Sequence, residues 1–147
     1  MPKLTALIHV DEASRELQRT LESVQFADDI LVIIDTAGAD DALKFARKLH
    51  ARLKTRIPGV SAGAYAMDAF YDWVLVLRPG EWLSSQTVDG LRRWREQKKD
   101  TETGYELPVH SAQGSTRALR LVNRQQMNWT GELPPKSGGV KELPFAA

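Results

Sequence analysis

The chain contains no cysteine, which excludes disulfides, thiolate metal sites and thiol nucleophiles together. Histidine is scarce: His9, His50 and His110 stand far apart in the sequence, and that separation fits no zinc-ligand spacing. His9 sits inside an apolar run and reads as a core histidine satisfied by backbone. No glycine-rich phosphate loop of the Walker or dinucleotide type is present, and Gly38, Gly59, Gly63 and Gly80 are scattered turn formers. Apolar runs stop at about five to seven residues, far short of a membrane span, and MPKLTALIHV lacks the apolar core of a signal peptide. A cytoplasmic location is therefore the default expectation, with any membrane contact peripheral. Neither sign of charge is in excess: 20 basic residues face 19 acidic ones, so the overall balance calls for no nucleic acid or other polyanionic partner.

What is present is an alternation of strand and helix patterns on a length of 147 residues, enough for one domain with a real core. Residues 4–10 (LTALIHV) read as a buried first strand. A helix follows, capped by Asp11 or Ser14, with Leu17, Leu21 and Val24 on one stripe. Residues 30–34 (ILVII) form a second strand ending at Asp35. The carboxylate-rich loop 35–41 then caps a helix whose buried face is Ala42, Phe45, Ala46 and Leu49. Residues 53–57 read as a short third strand, stopped by Pro58-Gly59, and residues 61–71 as an alanine-rich helix. This order means βαβ units, hence a parallel sheet with right-handed crossovers.

The chain is organised around residues 72–84, DWVLVLRPGEWLS. Trp73 to Leu77 are five successive apolar residues, the pattern of a strand buried on both faces. Pro79-Gly80 forces a turn after it, which places Arg78 and Glu81 at the carboxyl end of a central strand, where open α/β sheets bind ligands. Ser84 or Ser85 caps the next helix, with Val88, Leu91 and Trp94 on its apolar side. Three short strand candidates follow at 105–109, 118–122 and 127–129, with loops at 111–115 and 123–126. Residues 134–147, rich in Pro, Gly and Lys, read as an irregular tail.

Position suggests chemistry for a few of these residues. Asp35 ends a strand where a carboxylate can accept hydrogen bonds from a nucleoside's hydroxyls, or it simply caps the following helix. Arg78 can hold a phosphate bidentately, or it is a surface arginine paired with Glu81. Two basic clusters, Arg92, Arg93, Arg95, Lys98 and Lys99 around Trp94 and Lys44, Arg47, Lys48, Arg52, Lys54 and Arg56, can meet an anion or serve as solvated helix faces. Trp94 lies on the buried stripe of its helix, which removes it as a stacking platform.

Residues 4–133 as a whole resemble the family 2 glycosyltransferases of GT-A fold, particularly the bacterial type acting on lipopolysaccharide core sugars. The carrying blocks are LESV (21–24), FADDILVIID (26–35), TAGADDALKFARKLHARL (36–53), the DWVLVL…EWLS frame (72–84) and RLVNRQQMNWTGEL (120–133), in that order and spacing. The resemblance implies a three-layer α/β/α nucleotide-diphospho-sugar-transferase-like domain over residues 1–133, with a mostly parallel sheet and a small C-terminal β region. It further implies a nucleotide-sugar bound at the carboxyl edge and a divalent metal held by an Asp-any-Asp motif after the central strand.

The chain departs from that pattern where the chemistry should be. The family's LDADEWL appears as LRPGEWL, so Arg78 and Gly80 occupy the two aspartate positions and Glu81 alone survives beside them. Val10 to Ser14 replace the usual TYNEE, Ala62 and Gly63 replace an Arg-Asn pair, and Pro134 and Pro135 replace a His-Glu pair. Asp35 and Asp40 match the family's nucleotide-binding positions. Exchanging two aspartates for arginine and glycine alters the local charge by about three units and repels a divalent cation. The expectation is a family 2 glycosyltransferase-like protein without a metal cofactor, in a binding or accessory role. The alternative is an active metal-independent transferase, with Arg78 on the donor diphosphate, Asp35 on the nucleoside, and Glu81, Glu132 or Asp11 toward the acceptor. An anion-binding module built on the basic clusters is a third reading.

Overall fold

A computed structural model of the chain describes residues 3–10, 17–34, 44, 46–96, 103–125, 134 and 140–142. Strands β1 (Leu4–Val10), β2 (Asp29–Ile34), β3 (Arg52–Thr55), β4 (Trp73–Leu77), β5 (Gly104–Ser111), β6 (Gly114–Asn123) and β7 (Val140–Glu142) form one sheet in the order β3-β2-β1-β4-β6-β5-β7. The strand read as central is central. Pairings β1–β2, β1–β4, β2–β3 and β5–β7 are parallel, and β6 runs antiparallel to β4 and β5. Helices α1 (Leu17–Ser23) and α2 (Ser85–Arg95) cover one face, and a 3₁₀ helix, Ala62–Asp68, covers the other.

The two faces follow from the period of two along each strand. Leu4, Ala6 and Ile8 of β1 and Trp73, Leu75 and Leu77 of β4 pack with Leu17, Leu21 and Val24 of the first helical segment and Leu91 and Trp94 of α2. Leu7, Val74 and Val76 point the other way, onto Tyr65, Ala66 and Ala69. A sheet covered on both faces needs apolar residues at most positions of its inner strands, which is why LTALIHV, DILVII and WVLVL are near-continuous apolar runs. Ser84 caps α2 as the sequence suggests, its Oγ accepting from the Thr87 N–H at 3.2 Å.

Four local expectations change. Residues 61–71 give a 3₁₀ helix rather than an α-helix: Gly63 weakens helix propensity, Ser61 supplies no side-chain cap, and the bonds run three residues back, as in Ala64 N–H to Ser61 O at 3.2 Å. The third strand begins at Arg52 and ends at Thr55, on the sheet edge. The hairpin β5–β6 is longer than its apolar patches, closing at Ser111↔Gly114, because its tip projects into solvent and its paired residues 114–117 are exposed. Within the stretch expected to be irregular, Val140–Glu142 adds a parallel edge strand to β5. The strand candidate at 127–129 lies outside the described residues.

At the amino edge of the sheet a carboxylate does structural work. Asp29, its side chain 4% exposed, accepts from Arg52 Nε (2.9 Å) and Nη2 (2.6 Å), from Thr5 Oγ1 (2.8 Å) and from the Phe70 N–H (3.2 Å). Burial alone would raise its pKa, but these hydrogen bonds and the Arg52 charge together outweigh it and hold the carboxyl below its ordinary value of 3.8. A depressed folded-state pKa stabilises the fold above the unfolded value, and that contribution disappears as pH falls through the folded one. Asp29→Asn is therefore expected to lower stability at pH 7 by about 1–3 kcal/mol. It should also flatten the acid limb below pH 4, where wild type is losing this contribution. Urea midpoints measured from pH 7 to 2 check this; equal acid slopes in the two proteins would refute it.

Candidate functional site

The topology provides one crevice. From β1 the chain moves outward through β2 to β3, then returns to place β4 on the opposite side of β1. The connection after β1 packs on one sheet face through Leu17 and Leu21, and the connection before β4 packs on the other through Tyr65 and Ala66. The strand order therefore reverses between β1 and β4, and ligands of open α/β sheets lie outside the carboxyl ends of the strands at such a point. Here those ends are Val10 and Leu77, and the segment leaving Leu77 is Arg78-Pro79-Gly80-Glu81.

That segment is a tight turn. The Glu81 N–H donates to Arg78 O at 3.1 Å, with Pro79 and Gly80 at its corners and Gly80 at φ 79°. Pro followed by a glycine of positive φ is the sequence of a type II turn. The turn is locked from inside: Glu81 accepts the Arg78 backbone N–H at 2.6 Å and takes both terminal nitrogens of Arg120, at 2.5 and 2.9 Å. The Glu81 side chain is 12% exposed and that of Arg120 only 4%. The Arg78 side chain is exposed and, among the described residues, forms no hydrogen bond or ion pair.

Arg120 gets there by an irregularity in β6. Tyr105 faces Leu121 and Glu106 faces Leu119, so Arg120 is an extra residue opposite no partner on β5. Such a bulge re-aims a side chain. It turns Leu119 and Val122 to the same face, with Leu121 on the other, and sends the guanidinium toward the end of β4, where Nη1 also lies 3.5 Å from Val76 O. Gly104 opposite the bulge is required by close approach, since a Cβ there would stand 2.8 Å from Leu121 O and 2.9 Å from Leu119 Cδ1. Among the described residues, the buried Arg120 Nε has no hydrogen-bond partner.

Beyond the turn, α1 and β5 hold the chain from both sides. Thr20 Oγ1 donates to Glu81 O at 2.5 Å, and Ser23 Oγ accepts the Leu83 N–H at 3.1 Å. Trp82 exchanges two backbone hydrogen bonds with His110, each 2.9 Å, and stacks on its ring, while the Arg19 guanidinium covers the indole at 4.3 Å. A cleft of about 520 Å³ opens between α1 and the start of α2, lined among others by Arg19, Glu22, Trp82, Ser84, Asp89 and Arg92. Its cations and carboxylates balance, and Arg78 does not line it.

The structure brings Arg78 and Glu81 together at the expected edge, but not as the expected ion pair: the guanidinium bound by Glu81 is that of Arg120. Asp11, Asp35, Asp40 and Glu132 lie outside the described residues. Much of the two basic clusters is engaged internally. Arg95 binds both oxygens of Asp28 and Phe26 O, Arg52 binds Asp29, and Lys54 binds Asp68. Trp94 is fully buried, as its stripe implied. Arg120 and its bulge were missed. Their one sequence signal is a lone arginine between leucines in ALRLV, and the sequence offers no partner to attach it to.

The described residues of the turn offer a divalent ion no aspartate ligand. Positions 78 and 80 carry a guanidinium and no side chain, Gly80 holds a backbone angle that residues with side chains seldom adopt, and Glu81 is neutralised by Arg120. Among the described residues no group of three or more His, Asp or Glu side chains could hold a metal. Nor, among them, is any helix long and apolar enough to cross a membrane.

The fold is a mixed α/β domain on one sheet whose pairings are mostly parallel. No family model and no curated protein matches the chain. Among solved structures it is similar to 4-diphosphocytidyl-2C-methyl-D-erythritol synthase from Anaerococcus prevotii, with a TM-score of 0.55 and 10% identity over 84% of this chain and 72% of that one.

Proposed function

We propose that this chain is a family 2 glycosyltransferase-like domain that binds a nucleotide-sugar at the carboxyl edge between β1 and β4, in a binding or accessory role rather than as a metal-dependent catalyst. The observation that carries this reading is the exposed guanidinium of Arg78, without a partner among the described residues, at the switch point of a nucleotide-transferase-like sheet. A planar, permanently charged fork is suited to a diphosphate, and it supplies the positive charge that relatives take from a metal. The similar synthase is named for a diphosphocytidyl product, a group of the same chemistry. Engagement of Glu81 by Arg120 favours the binding role over the transferase alternative, because a general base needs a carboxylate oxygen free to reach the acceptor hydroxyl.

Calorimetry with a panel of nucleotide-sugars, in Mn²⁺ and in EDTA, tests the reading. Wild type is expected to bind at least one donor with the same affinity in both buffers. Arg78→Ala should weaken that binding roughly 10- to 100-fold, the value of a charge-assisted contact. Absence of heat with every donor would eliminate the proposal, and tighter binding with Mn²⁺ would restore the metal mode.

A further inference from the structure

Arg120 and the Arg78 backbone meet at one carboxylate, that of Glu81. We propose that Arg120, raised out of the β6 ladder by its bulge, is a positioning residue that acts as a tethered internal cation: through Glu81 it fixes the 78–81 turn and presents Arg78 to a diphosphate. The inference rests on the reading of Arg78 as the anion contact and adds the device that sets it.

The chain of contacts is continuous. Arg120 holds Glu81 through both carboxylate oxygens, and one of those oxygens also accepts the Arg78 N–H at 2.6 Å. The backbone of the residue proposed to meet the ligand is thus bonded directly to the ion pair. A carboxylate at the end of the central strand would otherwise repel a diphosphate beside it; paired with a guanidinium inside the protein, it is neutralised without an exchangeable ion. Arg120 comes from the strand that flanks β4, at the irregularity in its ladder with β5, and its Nη1 lies 3.5 Å from Val76 O near the end of β4. Its Nε has no hydrogen-bond partner among the described residues.

The test uses the full chain, inorganic pyrophosphate as probe, and NMR-detected amide exchange at Arg78, with the Leu7 amide of β1 reporting global unfolding. Arg120→Lys keeps the charge but loses the two-pronged grip. It is expected to speed Arg78 amide exchange about tenfold relative to Leu7 and to weaken pyrophosphate about tenfold, in EDTA and in Mn²⁺ alike. Glu81→Gln should speed the same amide by a similar factor. Arg78→Ala should abolish pyrophosphate binding while the amide at position 78 stays protected. Unchanged exchange and unchanged affinity in Arg120→Lys would overturn the inference, as would slower exchange at Arg78 only when Mn²⁺ is added. Should wild type fail to bind pyrophosphate or any nucleotide-sugar, the proposed function falls, while the exchange data alone still decide whether Arg120 sets the turn.

Discussion

Replacing Arg120 by methionine is expected to destabilise the fold by about 3–5 kcal/mol, because it leaves the Glu81 carboxylate nearly buried and without its counter-charge. Against an ordinary total of about 5–15 kcal/mol, this is a large fraction of the protein's stability. The loss belongs to the broken pair rather than to the pair itself. Removing both charges together, in Glu81→Gln with Arg120→Met, should therefore recover most of it, since the desolvation of two ions disappears with their attraction. A urea-denaturation double-mutant cycle measures this, and the expected coupling is on the order of 2 kcal/mol or more. Additive losses in the double variant would mean that Glu81 and Arg120 act separately, contrary to the bidentate geometry. The recovered double variant is also the useful reagent for function: it folds, yet its 78–81 turn has lost the ion pair.

Trp94→Ala, in the layer between α2 and the sheet, is expected to have an effect of similar size. Trp94 is fully buried and meets Trp73 edge-on at a centroid distance of 4.8 Å and Tyr105 at 5.9 Å. Truncation there removes the largest buried side chain of α2 and leaves a cavity between helix and sheet, which costs about 3–5 kcal/mol. Two aromatic contacts, each worth about 0.5–1.5 kcal/mol beyond area, place the change toward the upper end. Trp94→Phe should lose less than half as much: it keeps an aromatic ring against Trp73 and removes a buried indole N–H that has no hydrogen-bond partner among the described residues. Urea midpoints with unchanged m-values would check both. A loss under about 1 kcal/mol for the alanine variant would show that the cavity collapses without penalty.

Both variants act on elements whose existence could be read locally and whose partners could not. The apolar runs that became β1, β2 and β4 were legible because a strand buried on both faces has few polar positions to blur the pattern. The stripe Leu91, Trp94 and the Ser84 cap were legible because helix periodicity and capping depend only on near neighbours in the chain. Pro79-Gly80 announced its turn through the same local steric preferences. Where a segment lies at the surface, the signal weakened. The tip of the β5–β6 hairpin is polar and was read as a loop, although its backbone remains paired to Ser111. Residues 61–71 were read as an α-helix from their alanines, and the tighter helix formed instead.

At the site, composition and order alone place Arg78 and Gly80 after the central strand, where the resemblance to family 2 glycosyltransferases expects two aspartates, since that is a statement about residue identity at the end of a recognisable strand. They also sufficed for the fold class, because the order of strands and helices leaves few ways to close a sheet. What Glu81 binds was beyond them. Arg78 is 3 residues away from Glu81 and Arg120 is 39 away, so proximity in sequence favoured the wrong guanidinium. The correct one is selected by the placement of β6 beside β4 and by one extra residue in its ladder with β5, both of which are long-range pairings that no local pattern encodes. Charge and turn propensity are properties of a residue and its neighbours; the partner of a buried charge is a property of the sheet.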